Sequence, residues 1–319
     1  MKGLTDVPGI RVGHASDHEA LTGCTVVLCG PGAVGGVDVR GSATGSCELE
    51  TLNPGHVAAN VDAIVISGGS AFGLEASCGV RIALEKQGVG FRTSVAMVPI
   101  VPAAILFDLG IGRADIRPGM AMGQKAVEAA TDAAVVEGNV GAGTGATVGK
   151  INGMRQAMKS GIGSASATLG NGVVVAALVA VNAWGDVIDP ANGKVVAGAR
   201  KSPESREFAD SAMVLRHQAP STAATPFRGN TTLAIVATNA GLNKTQTNKL
   251  ASLASLGIAR SIAPVNTMGD GDITFAISQG NQRATVDAVG SLASEVLAQA
   301  VLRAVRAAKS VGGVPGLAG

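Results

Sequence analysis

Apolar positions along this chain fall into two rhythms. Mainly apolar runs of strand length occur at residues 25–29, 61–66, 173–184, 231–238 and 273–278. They read as strands buried on both faces. Apolar residues at helical spacing occur at residues 74–87, at 121–135, and from a cap at Asn243-Lys244-Thr245-Gln246 to about Ile262. A long helix is predicted over 284–308, with Val289, Leu292, Val296, Leu297, Val301 and Val305 on one side. Residues 203–217 read as a charged surface helix and 312–319 as a frayed tail. Residues 95–106, broken by Pro99 and Pro102, read as irregular and buried. Residues 139–150 are rich in small side chains, which suggests a strand or loop packed closely by a neighbour.

One junction stands out against this pattern. A polar, charged segment over residues 202–227 meets the apolar run through Arg228-Gly229-Asn230-Thr231-Thr232-Leu233. A hydroxyl residue therefore sits where a loop enters a buried strand. A threonine hydroxyl is a weak nucleophile until a base takes its proton, and an amino-terminal threonine carries that base as its own α-amine, of pKa about 7.7–8.0. Attack of the Thr231 hydroxyl on the Asn230 carbonyl, followed by hydrolysis of the ester, would create such a terminus. Gly229 tolerates the distorted backbone this needs. The plainer reading of Asn230-Thr231 is a turn residue followed by a β-former.

Composition narrows the alternatives. With 46% hydrophobic and 15% charged residues, the 319-residue chain can bury a large core. A net charge of +2 and 2% aromatics, with no tyrosine, argue against a nucleic-acid surface. The start, Met1-Lys2-Gly3-Leu4, lacks the apolar stretch of a signal peptide, and the longest apolar run, 173–183, is too short to span a bilayer. The expectation is a cytoplasmic protein with no membrane partner. Cys24, Cys29, Cys47 and Cys78 fit that compartment as buried free thiols, Cys24 and Cys29 pointing to opposite faces of one strand. His14 and His18 lie in a loop with no metal implied.

The glycine motifs bind no cofactor on this reading. Residues 30–35 spell G-x-G-x-x-G, but the alternating residues 36–41 continue as a strand, whereas a dinucleotide site needs a helix there. Residues 67–73 form a glycine loop before a helix and lack the Lys-Ser/Thr of a phosphate loop. Asn182, near a strand end, carries a carboxamide able to donate to an oxyanion, or simply to partner the turn at Gly185-Asp186. Asp270 and Asp272 alternate with glycine at a strand start; they read as a solvated turn, or as acids that hold the Thr231 amine or a cationic substrate.

Five blocks, residues 63–74, 98–105, 141–150, 181–186 and 229–233, together resemble the DmpA-like aminopeptidase/esterase family of self-processing N-terminal-nucleophile hydrolases, closest to its nylon-oligomer hydrolase branch. The resemblance implies an αββα sandwich of the DmpA/ornithine-acetyltransferase type. It implies one domain, 1–319, cut into 1–230 and 231–319, which stay associated in a homotetramer of cleaved pairs. It implies hydrolysis of small amides, peptides, amino-acid esters or ω-amino oligomers without metal or cofactor. By position Thr231 is the nucleophile, Asn182 and the Gly271 N–H are oxyanion donors, Asp270 and Asp272 are acidic partners, and Lys150 assists activation. The tyrosine some members place near the oxyanion is absent. Alternatives are an acyltransferase related to ornithine acetyltransferase and an uncut binding protein.

Overall fold

The computed structural model describes residues 2–217 and 229–319. Two five-stranded sheets stack face to face. One has the order Arg11–Asp17, Thr22–Leu28, Ala63–Ser67, Ala103–Ile105, Ser46–Cys47. The other has the order Ile162–Thr168, Val174–Asn182, Thr231–Ala240, Ile273–Gln282, Val34–Val39.

Alternation along each strand explains the mainly apolar runs. In the Thr231–Ala240 strand, Leu233, Ile235 and Ala237 face the opposite sheet, where they meet Val27, Ile64, Ile66 and Leu106. Ala234 and Val236 face outward onto the helices Lys244–Ala254 and Val286–Arg306, through Leu250, Val296 and Val301. Strands covered on both faces have no polar side to show. The first sheet is covered likewise by Glu75–Lys86 and Met120–Glu128, through Ala76, Val80, Leu84 and Ala126. The result is the four-layer αββα sandwich. Phe275 lies in its middle layer and is wholly buried. Phe275→Ala is expected to cost about 3–5 kcal/mol, measured by urea unfolding of an otherwise unchanged chain.

Several glycines are packing devices. An added Cβ at Gly79 would lie 2.0 Å from the Met120 carbonyl oxygen, and one at Gly163 would lie 2.1 Å from that of Ala300. Only glycine allows these helix–helix and helix–sheet approaches. The G-x-G-x-x-G stretch runs into the strand Val34–Val39, as its alternation predicts.

Element limits differ from expectation where long-range contacts intervene. The helix expected over 203–217 is confined to Ser211–His217. Before it, Arg200 and Phe208 form a β-bridge and Asp210 adopts φ 60°, which a helix cannot carry. Residues 218–228 of the polar segment lie outside the described residues. The helix expected over 121–135 ends at Glu128, because Thr131 exchanges two backbone hydrogen bonds with Val12 of an edge strand. The capping box at Asn243 and Gln246 is present, but its helix breaks at Ser255 into Lys244–Ala254 and Leu256–Ser261.

The carboxyl-terminal residues are not frayed. Pro315 O accepts from Lys159 N (2.8 Å), Ala318 N donates to Ala308 O (2.9 Å), and Val314 packs on Leu21 and Ile111. The helix Val286–Arg306 is long and apolar enough to cross a membrane, yet its apolar side covers the second sheet. Cys24 is buried and faces the helices, and Cys29 and Cys47 are half-buried; Cys78 is exposed on its helix, contrary to expectation. The His14 ring turns its Nδ1 to Thr25 Oγ1 at 2.9 Å, a contact within the sheet.

Candidate active site

Two inner strands of the second sheet meet end to start at one end of it. The antiparallel register of Val174–Asn182 with Thr231–Ala240 sets Asn182 directly opposite Thr231. The parallel partner, Ile273–Gln282, starts beside Leu233, so the turn before it, carrying Asp270, Gly271 and Asp272, reaches the same place. Asn230 and Asp270 form a parallel bridge. Thus three separate stretches of sequence converge on the Asn230–Thr231 linkage.

The geometry at that linkage is specific. Thr231 Oγ1 lies 2.5 Å from the Asn230 carbonyl oxygen, and Gly271 N donates to the same oxygen at 2.8 Å. Asn230 and Thr231 are each 3% exposed, so both contacts operate away from bulk water. Gly271 is also sterically required. A Cβ there would lie 2.7 Å from Thr231 Oγ1 and 2.8 Å from Ala43 O. Gly271→Ala keeps the N–H but crowds the hydroxyl, so opening of the linkage is expected to slow roughly 10–100-fold, measured as the half-time for appearance of a fragment starting at Thr231.

Asn182 is held from every side. Its Oδ1 accepts from Lys150 Nζ at 2.8 Å and from Thr147 N at 3.1 Å. Its Nδ2 donates to Phe107 O at 2.9 Å. Lys150 Nζ also donates to Asn182 O at 2.9 Å. Burial brings the Lys150 amine down from 10.5 to about 7, and the negative charge of Asp270 opposes that fall. The lysine is therefore poised between its two protonation states near neutrality.

Both acids lie at the linkage and bind the chain around it. Asp272 Oδ1 accepts Thr232 N at 2.6 Å and Oδ2 accepts Asn266 N at 3.1 Å. Asp270 Oδ2 accepts from Thr267 N and Thr267 Oγ1 at 2.8 and 2.7 Å. Both carboxylates bind backbone around the nucleophile. Burial and then the nearby Asp270 push Asp272 up to about 7, and burial also raises Asp270.

A cavity of about 280 Å³ opens beside the linkage, with Phe107, Asp108, Ile111, Lys150, Met154 and Asn230 in its wall. It is large enough for a small linear substrate. Sequence reasoning missed Phe107, Asp108, Thr147 and Lys159. A signal existed for two of them: Asp108 is the only charged residue between Arg92 and Arg113, and Lys159 the only one between Arg155 and Asp186.

Comparison with known proteins gives this geometry a context. Peptidase family S58 matches residues 2–318. The chain belongs to that family. An uncharacterized aminopeptidase of Mycobacterium tuberculosis (strain ATCC 25618 / H37Rv) is 40% identical to this S58 chain over 346 residues, covering 99% of it and 96% of the relative. A 6-aminohexanoate-oligomer endohydrolase of Kocuria sp. (strain KY2) is 32% identical over 320 residues, covering 94% and 85%. Among solved structures, the L-aminopeptidase D-Ala-esterase/amidase of Ochrobactrum anthropi, described as a variant of the Ntn hydrolase fold, superposes with a TM-score of 0.72 at 21% identity, covering 98% and 88%. A Burkholderia sp. beta-aminopeptidase gives 0.68 at 24% identity, covering 99% and 90%. The S58 chain thus has the Ntn hydrolase fold and is an amide hydrolase of the peptidase class.

Proposed function

We propose that this S58 hydrolase opens its own Asn230–Thr231 bond and then uses the freed Thr231 to hydrolyse small linear amides with a free amino end. One observation carries it: the Thr231 hydroxyl and the Gly271 N–H converge on a single carbonyl oxygen, that of Asn230, at 2.5 and 2.8 Å. In the first stage Thr231 Oγ attacks the Asn230 carbonyl carbon, and the hydroxyl proton passes to a neighbouring base. Negative charge develops on the oxygen that Gly271 N–H already faces. Breaking the C–N bond leaves an ester on Thr231 Oγ and a protonated amine on Thr231 N. Water cleaves the ester, giving the Asn230 carboxylate and a free threonine terminus.

The second stage repeats this with an external amide. Its acyl group is transferred to Thr231 Oγ, the amine departs with a proton, and water releases the acid. Gly271 N–H and the Asn182 carboxamide serve the oxyanion, and Lys150 or the Thr231 α-amine serves as base. Asp272, bound to Thr232 N, orients the nucleophile's backbone, and Asp270 shapes the turn that carries Gly271. Relatives named as aminopeptidases support substrates with a free amino end, and relatives named as 6-aminohexanoate-oligomer endohydrolases support ω-amino oligomers, cut at internal amides, as a further substrate class. Exposed Phe91, Val95 and Val98 support burial of this face in an assembly of cleaved pairs, for which we propose four copies.

The test is amino-terminal sequencing of freshly synthesised protein over time. A second sequence beginning Thr-Thr-Leu is expected to rise together with hydrolysis of an amino-acid p-nitroanilide. Activity in a preparation that shows only the original start would overturn the proposal. Adding a second amine as acceptor separates hydrolysis from acyl transfer: release of free acid unchanged by the acceptor identifies a hydrolase.

A further inference from the structure

Lys159 is fully buried and lies outside the machinery described so far. It sits in a short strand, Met158–Lys159, paired with Thr147–Val148, and its register partner is Thr147. Its Nζ donates to two carbonyls, Thr144 O at 3.0 Å and Ala146 O at 2.6 Å. Those carbonyls belong to the backbone that leads into Thr147. Thr147 in turn sends its N–H to Asn182 Oδ1 at 3.1 Å, and its hydroxyl to the same oxygen at 3.4 Å.

The second arm runs through Asp108. Its Oδ1 accepts Gly69 N and its Oδ2 accepts Thr22 Oγ1, both at 2.7 Å. It packs on the same backbone as Lys159: a Cβ on Gly145 would lie 2.6 Å from Asp108 Cβ. The Lys159 and Asp108 charges attract each other. The residue before Asp108 is Phe107, whose carbonyl receives Asn182 Nδ2 at 2.9 Å. The Asn182 carboxamide is thus held at its oxygen by backbone that Lys159 secures and at its nitrogen by the residue that precedes Asp108.

We propose that Lys159 is a positioning residue for Asn182: it fixes the residue 144–147 backbone through two carbonyls, so that the carboxamide is locked for its role at the oxyanion. The proposal rests on the reading of Asn182 as an oxyanion donor. Apolar packing alone does not account for Lys159. A methionine fills similar space without the penalty of burying an amine, which here lowers Lys159 to about 7. What methionine lacks is the pair of N–H donors. A neutral lysine amine still has two N–H groups, so both carbonyls stay satisfied in either protonation state.

The experiment uses the full chain and two readouts, the half-time of self-cleavage and steady-state hydrolysis of an amino-acid p-nitroanilide. Lys159→Met is expected to lengthen the first and lower kcat in the second by roughly 10²-fold, with KM within about twofold. Lys159→Met/Asp108→Asn removes both buried charges. It is expected to bring the thermal midpoint back toward wild type while kcat stays low. Recovery of kcat together with the midpoint would mean that charge balance was all Lys159 supplied, and wild-type kcat in Lys159→Met would equally overturn the proposal. Thr147→Val keeps the fold and the N–H but deletes the hydroxyl; kcat is expected to fall about threefold to tenfold, and no fall overturns the hydroxyl's share in holding Asn182. Thr231→Ala runs in parallel: cleavage and turnover at wild-type rates there would refute the reading of the site itself, not the role of Lys159.

Discussion

Thr231→Ala is expected to give one uncut chain of 319 residues and a loss of roughly 10⁴-fold or more in kcat/KM, read by intact mass spectrometry and p-nitroanilide release. The size of the effect follows from two losses with one cause. On the proposed reading, without the hydroxyl that lies 2.5 Å from Asn230 O nothing attacks the linkage, so the α-amine at residue 231 is not released. Without the hydroxyl there is also no acyl acceptor for any later substrate. Oxyanion donors and the cavity remain, and they alone leave only a small rate over water. The substitution is small at a site 3% exposed, and the strand keeps its ladder with Val174–Asn182, so the fold is expected to persist. A Thr231→Ser chain keeps the chemistry and is expected to cleave itself, at a rate within about tenfold of wild type.

Lys150→Met is expected to lower kcat by roughly 10²–10³-fold and to slow self-cleavage comparably. The lysine does two things at once. Its Nζ pins Asn182 through Oδ1 and the main-chain oxygen, and its burial-lowered pKa of about 7 makes a neutral amine available near neutrality. The sign is fixed by that direction. The amine accepts a proton only when unprotonated, so if Lys150 is the base the wild-type rate is expected to rise as pH increases through about 7 and to fall as Lys150 protonates below it. The variant separates the two candidate bases. If Lys150 is the working base, the residual rate of Lys150→Met loses the limb near 7; if the Thr231 α-amine is, a limb near about 8 persists at lower amplitude. A pH–rate profile from 5.5 to 9 on both proteins reads this directly.

The layers, and the place of Thr231 at the head of a buried strand, were legible because both are written in local patterns. An apolar run that starts with a threonine, an asparagine closing another such run, and a capping box at Asn243 each depend on neighbours a few residues away. Limits set by distant partners were not. Thr131 leaves its helix for Val12, and Val314 settles on Leu21 and Ile111, contacts that no window of sequence displays. Orientation was the other gap. Alternating acids at 270 and 272 announce a turn, but only the folded turn reveals that their oxygens grip the backbone N–H groups of Thr232, Asn266 and Thr267. Lys159 and Asp108 are lone charges in apolar surroundings, a signal visible in the sequence whose meaning depends on the pairing of Thr147 with Lys159.

The order of the second sheet bears on how long such an enzyme can last. Residues 231–240 and 273–282 are flanked by 174–182 on one side and 34–39 on the other, so a carboxyl-terminal piece would be wedged between ladders belonging to the amino-terminal piece. Before scission, assembly is a unimolecular event. After the proposed scission, recovery from denaturant would require two polypeptides to find each other, so its yield should depend on concentration, and the cut protein would owe its lifetime to slow escape from a state it reached as one chain.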